Sequence, residues 1–366
     1  MTIQHKMIEA RPAPKSTVGP LAWLRANLFS GPVNTVFTLL GLYLLYLLLV
    51  PTIEWAFIDA DWIGTTRDDC SREGACWVFV KARLGQFIYG LYPRDEIWRV
   101  NLTFGVFAVL IAWLMIPRLP FKRWVAAATL LVFPIFAFFL LYGGSFGLPL
   151  VQTHRWGGLM LTLVLAVVGM VGALPIGIVL ALGRRSQMPI VKSFCVVFIE
   201  FWRGVPLITV LFMASVMLPL FMPTGVSVDR LIRAFIGITL FQSAYMAEVI
   251  RGGLQAIPRG QEEAAAALGM SYWLRMGLIV LPQALKMMIP GIVNTFISLF
   301  KDTTLVMIIG LFDLLGIVQA ALSDSRWLGF SLEGYVFAAF MFWIFCFSMS
   351  RYSQYLERKL HTGHKR

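Results

Sequence analysis

Along this chain, apolar residues come in long runs, rather than in the alternation of a half-buried strand or the single stripe of a surface helix. Eight such segments recur, at 33–50, 99–116, 124–142, 157–183, 194–221, 231–250, 285–310 and 333–350. A helix rises about 1.5 Å per residue and needs about 20 apolar residues to cross the hydrocarbon of a bilayer, where its backbone polar groups must all be satisfied internally. The pattern therefore predicts an all-α integral membrane protein with about eight transmembrane helices. The seventh segment is the least regular, because Lys301 and Asp302 interrupt it. The first run starts at Val33 with no A-x-A-like site after it, so it is expected to remain as an anchor rather than to be cleaved as a signal peptide.

Composition agrees: 58% of the 366 residues are hydrophobic and 14% are charged, against about a quarter charged in soluble domains. The net charge of +12 does not point to nucleic acid, because the basic residues form short clusters between apolar runs and not one patch. They instead orient the chain. With the N-terminus inside and the spans alternating, 19 Lys and Arg fall on the inner side and nine on the outer side, as the positive-inside rule requires. Both termini are thus expected in the cytoplasm. The long outer loop 51–98 carries eight acids and also Cys70 and Cys76, which face an oxidising compartment and could form a disulfide or stay as two free thiols. No CxxC pair exists, so neither a zinc ribbon nor a redox motif is supported, and no metal site is expected.

The longest late connection on the inner side, after Arg251, is rich in small residues. Pro258 suits the first turn of a helix, Glu262 and Glu263 favour its positive N-terminal end, and the alanines lead to Gly269, a natural stop. A second helical piece is expected from about Ser271 to Val280. An exposed alanine face allows another surface to approach closely, though chemistry alone leaves a plain surface helix equally open.

The spacing of Glu263-Ala264-Ala265, then Gly269, then Ile279 and Leu281-Pro282 resembles the EAA loop of ABC importer permeases at every defined position. The resemblance implies a coupling helix seated in a groove of a separate ATPase, with Glu263 and Gly269 as its principal positions. It also implies that ATP and Mg are used by that partner and that this chain binds no cofactor and is not an enzyme; no GxxxxGK[ST] occurs in it.

Three further segments resemble the polar amino-acid subgroup of these permeases, and cover roughly 155–355: Glu200-Phe201-Trp202-Arg203-Gly204-Val205-Pro206-Leu207, Ala247-Glu248-Val249-Ile250-Arg251-Gly252-Gly253-Leu254, and the stretch from Asn294 through Lys301-Asp302 to Leu315. Ionisable residues inside an apolar span are costly and tend to face a cavity or a partner. Lys301 and Asp302 could meet the carboxylate and ammonium of an amino acid, or form an ion-pair latch at the membrane surface. Asn294 and Ser298 share a helix face with Thr295 beside it, suited either to lining a substrate path or to hydrogen bonding between helices. Glu248 with Arg251, and Glu200 with Arg203, have the spacing of structural pairs, while Gly169, Gly172, Pro175 and Gly177 read as packing positions.

The expected organisation is a cytoplasmic segment at 1–32, an N-terminal extension with three spans at 33–150, a permease domain of the type I ABC importer kind with a five-helix core at 151–355, its EAA loop at 256–283, and a basic tail at 356–366. The extension resembles that of the general L-amino-acid importer permeases. This implies two ATPase subunits, a homologous permease as heterodimer partner, a periplasmic amino-acid-binding protein and a place in the bacterial inner membrane. Other readings are an importer of another small polar solute such as an opine or short peptide, an ion-coupled secondary transporter, and a structural or sensory membrane protein.

Overall fold

The computed structural model describes residues 19–71, 73–116, 118–223 and 228–360. The first 18 residues of the expected N-terminal segment and residues 361–366 of the basic tail lie outside the described residues. The chain folds as two compact units, Met1–Val78 and Phe79–Arg366, and the described residues contain helices, isolated bridges and no strand.

In the first unit, α1 (Pro20–Asn27) precedes α2 (Pro32–Ile53), which continues as a π-helical turn over Glu54–Ile58. Together α2 and that turn make a 27-residue apolar rod, about 40 Å long. Beyond it, Cys70 and Cys76 are joined by a disulfide, and Trp55 and Trp62 each pack against the ring of Trp77.

The second unit begins within α3 (Trp77–Tyr89) and continues with α4 (Ile97–Met115), α5 (Lys122–Ala127) and α6 (Phe133–Tyr142), the last two joined by a π turn. Arg99 on α4 is fully buried. Its guanidinium donates to the carbonyls of Leu140 and Leu141 at the end of α6 and to that of Pro149, and it pairs with Glu96 at 3.3 Å. A cation at a helix C-terminus satisfies orphan carbonyls and meets the negative end of the dipole.

Next come α7 (Gly158–Arg184), α8 (Pro189–Gly204), α9 (Leu207–Leu220) and α10 (Arg230–Ala256). The predicted fifth span, 194–221, is not one rod: α8 and α9 meet at 101°. Pro206 supplies no N–H and pushes Val205 out of the helical region, and both residues are extended, with ψ of 133° and 140°. The predicted sixth span is α10, which is as long as α7 but too polar for a lipid-facing rod, since it buries Gln242 and Ser243. It is the axis of the bundle. Gly169, Gly172 and Gly177 of α7 face Ile238, Thr239 and Met246 of α10 so closely that a β-carbon would press on each, as expected for packing positions.

After α11 (Arg259–Ala267), α12 (Tyr272–Arg275) and α13 (Leu281–Met287), α14 (Ile289–Asp302) runs into a seven-residue 3-10 segment, Thr303–Ile309. Then α15 (Leu314–Leu322) leads to α16 (Ser331–Leu360). Among the described residues, six helical rods are long and apolar enough to span a membrane and the bent pair makes up to a seventh, roughly consistent with the expected eight, α10 being the predicted span that falls short.

Candidate functional site

Between α10 and α14 the chain makes an elbow, and local chemistry dictates its shape. Ile257 and Pro258 are extended, with ψ of 128° and 133°, which ends α10 and starts α11. Gly269 ends α11 at φ 76°, a conformation that strains any residue with a β-carbon. Its N–H donates to Ala266 and that of Met270 to Ala265, at 2.9 and 3.2 Å, so the last carbonyls of the helix are closed by a Schellman motif. The predicted second piece is a compound of α12, a π turn over Met276–Val280 and α13.

The elbow has two faces. Inward, Ala265 is buried, while Met276, Val280 and Ala284 join a core cluster with Leu180, Ile199, Met246 and Leu254, and Ile279 and Leu281 pack at its edge. Outward, Glu263, Ala264 and Pro282 are exposed, and Leu268, Trp273 and Leu278 present 81%, 74% and 67% of their surface. These large apolar side chains beside the small alanines form a bare apolar ridge along the outward face.

Charge ties the elbow to the bundle. Glu262, not Glu263, turns back to Arg185 at 3.5 Å, and Arg185 also donates to the carbonyl of Leu254. Its neighbour Arg184 reaches Glu248 at 2.7 Å and Glu200 at 3.0 Å. The expected Glu248–Arg251 pair is present at 2.8 Å. The expected Glu200–Arg203 pair is not: Arg203 lies 3.8 Å from Glu248 and over the ring of Tyr245, so α10 offers it two partners while Glu200 turns to Arg184. Each of these part-exposed pairs contributes about 0.2–1 kcal/mol, so the network joins elements without welding them.

On α14, Asn294, Ser298 and Lys301 fall on one exposed face, whereas Thr295 is buried. Thr295 serves helix packing: its hydroxyl donates to the carbonyl of Gly291 and its own carbonyl accepts from Gln242. No ion pair joins Lys301 to Asp302. The helix changes hand-hold there, since Thr303 and Thr304 donate their hydroxyls to Phe300 and Lys301 and the 3-10 segment follows. So long a 3-10 run is uncommon and marks a hinge or a site under strain. Among the described residues, no three metal-ligating side chains come together.

Sequence reasoning placed the elbow and the polar face of α14 but missed Arg184, Arg185 and Glu262 as a unit, because their partners lie up to 77 residues away along the chain. The doubled arginine after a long apolar run was the available signal, and it reads equally as a topology determinant.

Membrane-length helices around a buried axis, with a charged elbow that presents a bare apolar ridge, define a polytopic membrane protein. Residues 173–362 match the family described as binding-protein-dependent transport system inner membrane component, and the chain belongs to that family. It is 58% identical over 353 residues to the inner membrane amino-acid ABC transporter permease protein YhdY of Escherichia coli K12, covering 96% of each chain. It is 42% identical over 433 residues to the glutamate/glutamine/aspartate/asparagine transport system permease protein BztC of Rhodobacter capsulatus, covering 99% of each. Against the glutamate/aspartate import permease protein GltK of Escherichia coli O157:H7 it is 35% identical over 207 residues, which are 55% of this chain and 91% of that one. The chain is a multi-pass inner-membrane transport component.

Proposed function

We propose that this chain is the permease subunit of an ATP-driven ABC importer that moves L-amino acids across the bacterial inner membrane. The observation that carries the reading is the elbow: a Gly269-closed helix with an exposed apolar ridge and an inward face keyed into the bundle. Two partner ATPase subunits hydrolyse ATP with Mg and grip that ridge on the cytoplasmic side, where both termini also lie. A homologous permease completes the pathway as a heterodimer, and a periplasmic binding protein delivers substrate. The permease domain takes in 151–355, with 33–150 as an extension, and Cys70 and Cys76 lie in the outer loop of that extension. Closing of the ATPases draws the elbows together and rocks the helices, so the chain conducts substrate and makes or breaks no bond in it.

Amino acids fit as cargo because the exposed face of α14 offers amide, hydroxyl and ammonium groups in one line, at Asn294, Ser298 and Lys301, and Asp302 stands at its end. A zwitterion needs such donors for its carboxylate and an acceptor for its ammonium. The names of its relatives, amino-acid permeases, support the same reading. The test is uptake of a panel of labelled L-amino acids, opines and short peptides into proteoliposomes holding the full complex. Accumulation that needs ATP and survives ionophores is expected for amino acids. Accumulation that survives without ATP but collapses with the ion gradient would assign the chain to coupled secondary transport, and transport of only the other solutes would reassign the cargo.

A further inference from the structure

The two adjacent arginines at the end of α7 do different jobs. Arg185 faces the elbow, where it pairs with Glu262 of α11 at 3.5 Å and holds the Leu254 carbonyl near the end of α10. Arg184 faces the bundle, where it pairs with Glu248 of α10 at 2.7 Å and Glu200 of α8 at 3.0 Å. Glu248 in turn lies 3.8 Å from Arg203, the next-to-last residue of α8, immediately before the 101° bend into α9. A continuous line of charge therefore runs from the elbow helix, across two consecutive residues of one backbone, to the bend.

We infer that Arg184 and Arg185 are positioning residues that transmit displacement of α11 to the α8–α9 bend. This rests on the importer reading above. The two residues share one peptide unit, which is stiff, so a pull on Arg185 through Glu262 shifts Arg184 with it. The end of that line is mechanically apt. Neither Val205 nor Pro206 donates a helical hydrogen bond at the bend, the Pro206 carbonyl only accepting the first bonds of α9, and α9 packs on both α10 and the 3-10 segment that follows α14. Part-exposed ion pairs are easily broken and remade, as a joint requires. The arrangement also separates the two elbow acids: Glu262 turns inward to the transmission, and exposed Glu263 is left for the partner.

The test uses the full complex in proteoliposomes, with uptake and ATP hydrolysis followed together and the melting temperature recorded. The variants are Arg184→Gln, Arg185→Gln and the swap Arg185→Glu with Glu262→Arg. Loss of transmission is expected to lower substrate moved per ATP hydrolysed by about fivefold or more in each single variant, with the ATPases still attached and hydrolysing. The swap is expected to restore the ratio to within about twofold, because it rebuilds the pair with its charges exchanged. An unchanged ratio in Arg184→Gln and Arg185→Gln, a fall of uptake and hydrolysis in step with a lower melting temperature, or failure of the swap would each overturn the inference. A wild-type complex that takes up nothing while hydrolysing ATP would instead defeat the importer reading, and the inference with it.

Discussion

The two ends of α7 are built to opposite plans. At its N-terminal end, Gly158 sits at φ 63° with the Phe87 carbonyl where a β-carbon would be, and its N–H donates to Phe312. Around it Phe79 and Phe87 are fully buried against Trp327, Phe330 and Phe337, and Arg83 of α3 pairs with Asp324. At its C-terminal end, Arg184 and Arg185 meet part-exposed carboxylates and a bare ridge of Leu268, Trp273 and Leu278. One end is sealed by burial, which is costly to open. The other is held by part-exposed charge pairs that rearrange cheaply, so the end of α7 beside the elbow is the easier of the two to move.

The contrast predicts where substitutions unfold the protein and where they only disconnect it. Arg99→Leu, on the sealed side, removes a fully buried cation from the carbonyls of Leu140, Leu141 and Pro149. It should cost about 3–5 kcal/mol, seen as a large drop in melting temperature and in folded yield. Full retention of stability would show that the side is not sealed as described.

Asp313 tests the same side through pH. Its carboxyl is fully buried, accepts from the N–H of Gly316 at the start of α15 and leaves one oxygen without a partner. Burial pushes its pKa up to about 6. A carboxyl raised in the fold stabilises fully below about pH 4, where folded and unfolded chains are both protonated, and that stability is lost as pH rises through about 6. Asp313→Asn keeps the cap and should flatten this decline, gaining up to about 3 kcal/mol at pH 7.5. Urea unfolding between pH 4 and 8 reads it, and parallel curves for both proteins would refute the assignment.

At the articulated end the effects on stability shrink while those on function persist. Gly269→Ala puts a β-carbon at φ 76° for about 1–2 kcal/mol, local to the elbow, and should release the ATPase on purification at nearly unchanged melting temperature. Smallest of all, Trp273→Ser should alter stability by less than about 0.5 kcal/mol, yet weaken ATPase attachment. If Trp273→Ser instead unfolded the protein, the ridge would be core rather than docking surface.

How much of this was legible differs by the range of the forces involved. The rods α2, α4 and α7 follow from apolar runs to within three residues at each end, α16 starts within two residues of its run but continues ten residues past it, and the elbow follows from Pro258 and Gly269, whose backbone chemistry is local. The bend between α8 and α9 was masked, because the run 194–221 is apolar throughout and hydropathy carries no angle, although Val205-Pro206 held the hint. Arg99 was legible as an edge charge but not as a buried clamp, since its acceptors are carbonyls 41 to 50 residues away. The same limit hid the Arg185–Glu262 link: charge pairing across the fold leaves no periodic trace in the chain.

The account rests on the outward face of α11 being covered by an ATPase. A single cysteine at Leu268→Cys, in a chain with Cys195 and Cys346 replaced, can be titrated with a membrane-impermeant maleimide in the purified complex and again after the ATPases are stripped. The account predicts protection in the complex, rapid labelling once stripped, and labelling from the cytoplasmic side only. Equal labelling with and without the ATPases, or labelling from the outside of intact cells, would contradict it.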